Sequence, residues 1–427
     1  MLRIFPRKIG VKNFKSLRDV EIDLTKVNIV IGPNGSGKTS LVEALYLLKL
    51  IVEHVRGRVI NPFLEWWGYQ EVVWNHDEKL NIELCVGFDI EFGPEGFLSK
   101  LIKKFENTDH LSLKNVSYRI SVTGKGGRFQ ILREEIGFRN LKVISEMGAY
   151  KVMFSGKEFP IGEDIYEPTF LHLVFEGMRL YMHEDPESRV EHVIEHLWGN
   201  YALLPNNIDG IYDLALPVIL TSIYALMDSM AILRIVNYDA MKEPSKHIAV
   251  EALSMDASNL PSLILTLYGG NIPDNVISSI AYILGEDEKR IKLGIRPTTD
   301  GRSFLTLTIG NIEHLPPSIP DGVLKMLAME IAIDQRVPLL VVDEIENSLH
   351  AKAIHRLLDD IRNSSTTLLA TTHSPAVIDI VKPEEIIILE RKDTETTASR
   401  ISDPKKLSNK LKDLGVTLSE YLTYIRP

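Results

Sequence analysis

The chain has 427 residues, 44% of them apolar and 25% charged, and a formal net charge of −10. That length and mixture fit a globular protein of two or three lobes, without low-complexity segments or a disulfide framework. The negative balance argues against a surface coated for nucleic acid, but leaves room for a local basic patch.

The first eight residues, Met1-Leu2-Arg3-Ile4-Phe5-Pro6-Arg7-Lys8, contain no apolar run of signal-peptide length. Lys8, Lys12, Lys15 and Arg18 cluster soon after, a pattern that usually marks a solvated edge. Val27-Asn28-Ile29-Val30-Ile31 reads as a buried strand, and Ser40 to Leu48 as an amphipathic helix. Between them, Gly32-Pro33-Asn34-Gly35-Ser36-Gly37-Lys38-Thr39-Ser40 fits G-x-x-x-x-G-K-[ST]. Such a turn aims backbone N–H groups and the positive end of a helix dipole at one point, which suits a triphosphate. Lys38 would lie along the β- and γ-phosphates, and the Thr39 hydroxyl would join a Mg²⁺ shell. Asn34 to Ser40 are therefore the expected ATP-binding residues.

Cys85 is the single cysteine and lies in the alternating stretch Ile82 to Phe88, so a core thiol and an intracellular, cytoplasmic location are expected. From about residue 80 to 155 apolar and polar residues alternate between turn signals, and Gly124-Lys125-Gly126-Gly127 predicts a hairpin. From about 163 to 290 helical spacing dominates, without heptads sustained enough for coiled-coil arms. His192, Glu195 and His196 match H-x-x-E-H, but the pattern is short and lacks a third ligand motif, so it reads as a surface histidine pair. Leu214 to Val236 is the most apolar segment; Pro217, Asp228 and Arg234 interrupt it, so it reads as a buried helix and no membrane is expected.

Asp321-Gly322, after Pro320, predicts a helix start able to meet an anion. Val337 to Val342 is an apolar strand ending in Asp343-Glu344. Because strand side chains alternate faces, the two carboxylates take different roles: Asp343 for Mg²⁺ and Glu344 as general base. A further strand, Thr366 to Thr371, runs into Thr372-His373-Ser374-Pro375, which puts His373 where open α/β sheets bind ligands, near the γ-phosphate.

Taken together, Val11 to Leu17 with its N-F-K-S turn, the G-P-N-G-S-G-K loop, Asp321-Gly322, and the blocks Asp343 to His350 and Thr371 to Pro375 resemble the RecF/SMC-like ABC ATPases. The likeness is to small prokaryotic AAA family and OLD-like proteins, and Asp256 to Pro261 looks like another family element. It implies an α/β fold: a P-loop ABC-type head with an antiparallel β lobe and a helical insert lobe. The expected division is 1–155 for the first part of the head, 156–295 for the insert and 296–427 for the rest of the head.

The resemblance further implies a head-to-tail homodimer sandwiching two ATP molecules, with Asp321-Gly322 of one subunit facing the nucleotide of the other. It implies a switch in DNA repair, maintenance or anti-phage defence, with DNA and a separate nuclease or effector as partners. An ATP-gated scaffold with little hydrolysis is the alternative. Departures are Pro320 where the family has Ser, with Ser318 nearby, Ile345 and Ala351 in place of Pro, and a metal-contacting glutamine for which Gln70 is the candidate.

Overall fold

The computed structural model describes residues 2–92, 112–160, 169–181, 186–200, 210–246 and 249–422. The chain begins with β1 (Leu2–Phe14), β2 (Leu17–Asp23) and β3 (Val27–Ile31). It folds into two units interleaved along the sequence. The first is Met1–Leu24, Gly35–Asp228 and Glu390–Ala398; the second is Thr25–Asn34, Ser229–Leu389 and Ser399–Pro427.

In the first unit an antiparallel sheet is completed by β4 (Ile82–Phe92), β5 (Ser112–Thr123), β6 (Gln130–Phe138), β7 (Leu141–Glu146), β8 (Ala149–Phe154) and β9 (Lys157–Pro160). Its order is β2-β1-β4-β5-β6-β7-β8-β9. The expected alternation holds in β4, where Ile82, Leu84, Val86, Phe88 and Ile90 are buried and the residues between them are not. The hairpin predicted at Gly124 joins β5 to β6, with Gly126 at φ 69°. Glu134 of β6 is fully buried; it accepts from Tyr118 Oη at 2.7 Å and from the N–H groups of Phe170 and Leu171 at 2.6 and 3.3 Å. The carboxylate thus anchors the helix Phe170–Leu180 to the sheet through two of its orphan donors.

The basic cluster near the N-terminus is already matched. Lys8 pairs with Glu21 at 2.5 Å, Lys12 with Asp19 at 3.2 Å and Lys15 with Glu43, while Arg18 donates to Asn13 and lies over Trp74. His192 and His196 pack against the ring of Tyr181, and no group of three or more metal-capable side chains occurs among the described residues.

The second unit holds β10 (Ala231–Leu233), β11 (Ser245–Lys246), β12 (Ile291–Pro297), β13 (Arg302–Ile309), β14 (Ile312–His314), β15 (Leu339–Val342), β16 (Thr367–Thr371) and the first half of β17 (Ile386–Lys392); the end of β17 and most of β18 (Glu395–Arg400) belong to the first. A six-stranded sheet has the order β10-β15-β16-β3-β17-β18, with β10, β15, β16, β3 and β17 parallel. Every residue of β3, β15 and β16 is buried, as a parallel sheet covered on both faces requires. Asn28 is tolerated there because its amide donates to the carbonyls of Thr25 and Leu368 and its oxygen accepts from Thr25 N–H. A small sheet of β11, β13, β12 and β14 lies in the same unit.

One expectation needs correction. Leu214 to Val236 is not a single helix: the helix Gly210–Ser229 ends, and Ala231–Leu233 becomes the edge strand of the six-stranded sheet. An all-apolar run carries no period to separate a buried helix from a buried strand, and β-branched Ile232 pairs well beside β15. No helix among the described residues is long and apolar enough to cross a membrane.

Candidate nucleotide site

β3 delivers the phosphate loop. Its last residue, Ile31, runs into Gly32, and Gly35 and Gly37 take φ values of 76° and 99°, the left-handed region that glycine enters freely. The helix Lys38–Val55 follows with no side-chain cap at Gly37, and a helix N-terminus turns its N–H groups and positive dipole end toward an anion. Ser36 is buried and its Oγ has no hydrogen-bond partner; Lys38 is 6% exposed. An orphaned hydroxyl and an uncapped helix start in one glycine turn fit a phosphate chain.

The loop is braced from a place the sequence did not reveal. Thr396 Oγ1 of β18 donates to the Ser36 carbonyl at 3.0 Å and shares a hydroxyl–hydroxyl hydrogen bond with Ser16 Oγ at 2.8 Å, in which the serine is left to donate. A Cβ on Gly37 would lie 2.6 Å from Thr396 Oγ1 and 2.9 Å from Ser16 Oγ. The N-F-K-S turn therefore contributes Ser16 to the loop's support.

The two carboxylates sit at the same edge of the sheet as the start of the loop. Strand β16 lies between β3 and β15, pairing Thr371 with Val30 and Ala370 with Val342. The carboxyl ends of β3 and β15 are thus two strand spacings apart, on the order of 10 Å, with Asp343 just beyond Val342. Asp343 is 9% exposed; Thr371 Oγ1 donates to its Oδ1 at 2.6 Å, and Arg234 Nε lies 3.5 Å from its Oδ2.

Strand alternation is not what separates the two acids. β15 stops at Val342, and Glu344 adopts φ 51°, a left-handed conformation costly for a side-chain-bearing residue. Three contacts hold it there. Its N–H donates to Thr371 Oγ1 at 2.8 Å, its carbonyl accepts from Lys325 Nζ at 2.7 Å, and its Oε2 accepts from Asn347 Nδ2 at 2.6 Å. The carboxylate is left exposed. Lys325 is buried and also donates to the Asn347 carbonyl at 3.1 Å; burial pulls its pKa down to about 8.

Lys325 belongs to the helix Asp321–Asp334, which starts as expected. Pro320 is its N-cap and offers no side-chain cap, while Ser318 lies in the preceding turn. Gly322 packs on the acid turn so closely that a Cβ would lie 2.4 Å from the Ser348 carbonyl oxygen. Asp321 pairs with Lys242 at 2.6 Å. His373, two residues past β16, is exposed; its N–H donates to Glu346 Oε1 at 2.6 Å, tying it to the segment after Glu344. In the first unit, Gln70 is exposed on a turn, where its carbonyl accepts from His76.

Sequence reasoning selected Asp343, Glu344, Asp321, Gly322 and His373, and the second unit gathers these around one sheet edge. It missed Thr371, Lys325 and Arg234. Thr371 stood two residues before His373 and Lys325 four residues after Asp321, but Arg234 carried no such mark, and only tertiary placement gives the three their partners.

Known proteins match the same two ends of the chain. Residues 7–118 match the family described as AAA ATPase domain, and residues 304–379 match AAA domain, putative AbiEii toxin, Type IV TA system. An OLD nuclease of Thermus scotoductus is 31% identical over 112 residues, 25% of this chain and 20% of that protein. The DNA replication and repair protein RecF of Psychromonas ingrahamii is 41% identical over 57 residues, 12% and 16% of the two chains. RecF of Lactococcus lactis is 28% identical over 102 residues, 24% and 28%. The chain thus spans less than a third of the length of these relatives. Among solved structures, an Smc head bound to the C-winged helix domain of ScpA aligns over 95% of this chain and 99% of that one, with 13% identity and a TM-score of 0.42.

Proposed function

We propose that this chain, an RecF/SMC-like ABC-type ATPase by its two matched segments, is an ATP-binding and hydrolysing switch that dimerises head-to-tail on ATP and serves DNA repair, maintenance or anti-phage defence. The observation that carries this reading is the register of β3, β16 and β15, which starts the phosphate loop at the edge where Asp343 and Glu344 emerge.

The chain's own groups have distinct tasks. Backbone N–H groups of Asn34 to Ser40 and the Lys38 ammonium bind the phosphates. Thr39 and Asp343 would hold Mg²⁺, which when bound neutralises phosphate charge. Glu344, exposed and fixed by Asn347, accepts the proton of the attacking water, and His373 steadies the terminal phosphate. Asp321 and Gly322 present the second subunit's helix N-terminus. Because that contact needs the intact triphosphate, dimerisation follows ATP binding and hydrolysis reverses it. Residues 1–155 and 296–427 form the head, and 156–295 form the insert, which lends β10 to the head's sheet. DNA and a separate nuclease or effector are the expected partners.

The uncapped Pro320 favours a second reading, a scaffold that binds ATP and turns it over slowly. The test is steady-state ATPase with and without duplex or single-stranded DNA, beside sizing of Glu344→Gln in ATP. DNA-stimulated turnover lost in the variant, which then accumulates as an ATP-dependent dimer, supports the switch. Tight ATP binding with negligible wild-type turnover supports the scaffold. A monomer at every nucleotide concentration removes the sandwich.

A further inference from the structure

Arg234 follows directly on β10, whose Leu233 pairs with Val342, so its guanidinium emerges at the same sheet edge as Asp343. The Asp343 carboxylate is nearly buried, with side-chain exposure of 8%, and both its oxygens are engaged: Oδ1 by the Thr371 hydroxyl, Oδ2 by Arg234 at 3.5 Å. A carboxylate removed from water needs a compensating cation. Arg234 is 35% exposed, so it can withdraw toward solvent at modest cost, whereas Asp343 cannot. The segment that carries Arg234 is tied elsewhere: the Arg234 N–H donates to the Met255 carbonyl, and Tyr238 Oη to the Asn347 carbonyl at 3.3 Å. The backbone on either side of Arg234 is therefore fixed, and any exchange at Asp343 has to be made by the guanidinium, the more exposed partner of the pair.

We propose that Arg234 is the exchangeable counter-cation of Asp343: it neutralises the carboxylate in the metal-free protein and competes with a divalent cation for it. Arg234 is thus a positioning residue that sets the magnesium concentration at which nucleotide binding responds. This rests on the assignment of Asp343 to Mg²⁺ under the proposed function. A 2+ ion brought to Asp343 repels the guanidinium, so every cation bound there must first displace it.

The experiment is a magnesium titration of the full chain at fixed concentration of a fluorescent ADP analogue, read as binding rather than turnover. Arg234→Gln should lower the half-saturating magnesium concentration roughly five-fold, the scale of one partly exposed ion pair. Arg234→Lys keeps a weaker, non-planar competitor and should lower it about two-fold, so it carries the test if the glutamine variant fails to fold. Affinity for the analogue at saturating magnesium should stay at the wild-type value in both variants. An unchanged or raised magnesium requirement in the folded variants overturns the competition while leaving the nucleotide site intact. Wild-type protein that binds the analogue with no magnesium dependence removes the Asp343 assignment and the competition together.

Discussion

The ammonium of Lys325 donates to the main-chain carbonyl of Glu344 at 2.7 Å, so the helix opening at Asp321 grips the turn that presents the proposed general base. Two terms oppose each other at this lysine. Burial lowers its pKa to about 8, a cost of about 3 kcal/mol against an exposed lysine, while two carbonyl acceptors return on the order of 1.5–3 kcal/mol each. Lys325→Met should therefore change stability little, yet release a left-handed Glu344. The expected result is a urea midpoint close to wild type with kcat for ATP down at least ten-fold and KM nearly unchanged.

Thr371 serves both acids with one hydroxyl, donating to Asp343 and accepting from Glu344 N–H. Thr371→Val keeps the shape and leaves a buried carboxylate oxygen and the partly buried Glu344 N–H without that partner, costing about 1–3 kcal/mol. Thr371→Ser should recover most of it. Denaturant unfolding of the pair checks this, and a valine variant as stable as the wild type would remove the hydroxyl's role.

Gly322 has no room for a side chain against the Ser348 carbonyl, a backbone atom that cannot swing aside. Gly322→Ala should cost about 1–3 kcal/mol through displacement of the turn after Glu344. Under the proposed head-to-tail dimer, the same variant should show no ATP-dependent rise in light-scattering mass at concentrations where the wild type is expected to show one.

Glu134 gives a pH signature independent of the nucleotide site. Burial raises its pKa to about 7 from an ordinary 4.5, despite the donors facing it. The unfolded chain ionises it from about pH 4.5 and the folded chain only near 7, so the carboxyl disfavours folding increasingly across that window and fully above it. The cost reaches about 3 kcal/mol. Glu134→Gln should flatten the fall in stability between pH 5 and pH 8, measured as denaturation midpoints; a variant whose midpoint falls as steeply as wild type would refute the assignment.

Much of the site was legible because its chemistry forces local spacing. Gly32, Gly35, Gly37, Lys38 and Thr39 must be adjacent to make a phosphate loop, and a fully buried parallel strand must read as an apolar run before Asp343. What escaped depends on contacts between distant segments. Thr396 meets Ser36 across 360 residues, and Arg234 meets Asp343 from a strand hidden in an apolar stretch read as helix. The divergence of Asp343 and Glu344 was foreseen but assigned to the pleat, because a positive φ at a glutamate leaves no compositional mark.

The position of β3 has a consequence for synthesis. This early strand has β16 and β17 as its hydrogen-bonded neighbours, and its Asn28 amide waits for a carbonyl 340 residues downstream. On a ribosome adding roughly 5–20 residues per second, that strand leaves the exit tunnel on the order of half a minute before either neighbour exists. During that interval an apolar ribbon with both edges open invites pairing with other nascent chains, so yield should depend on chaperone supply and elongation rate.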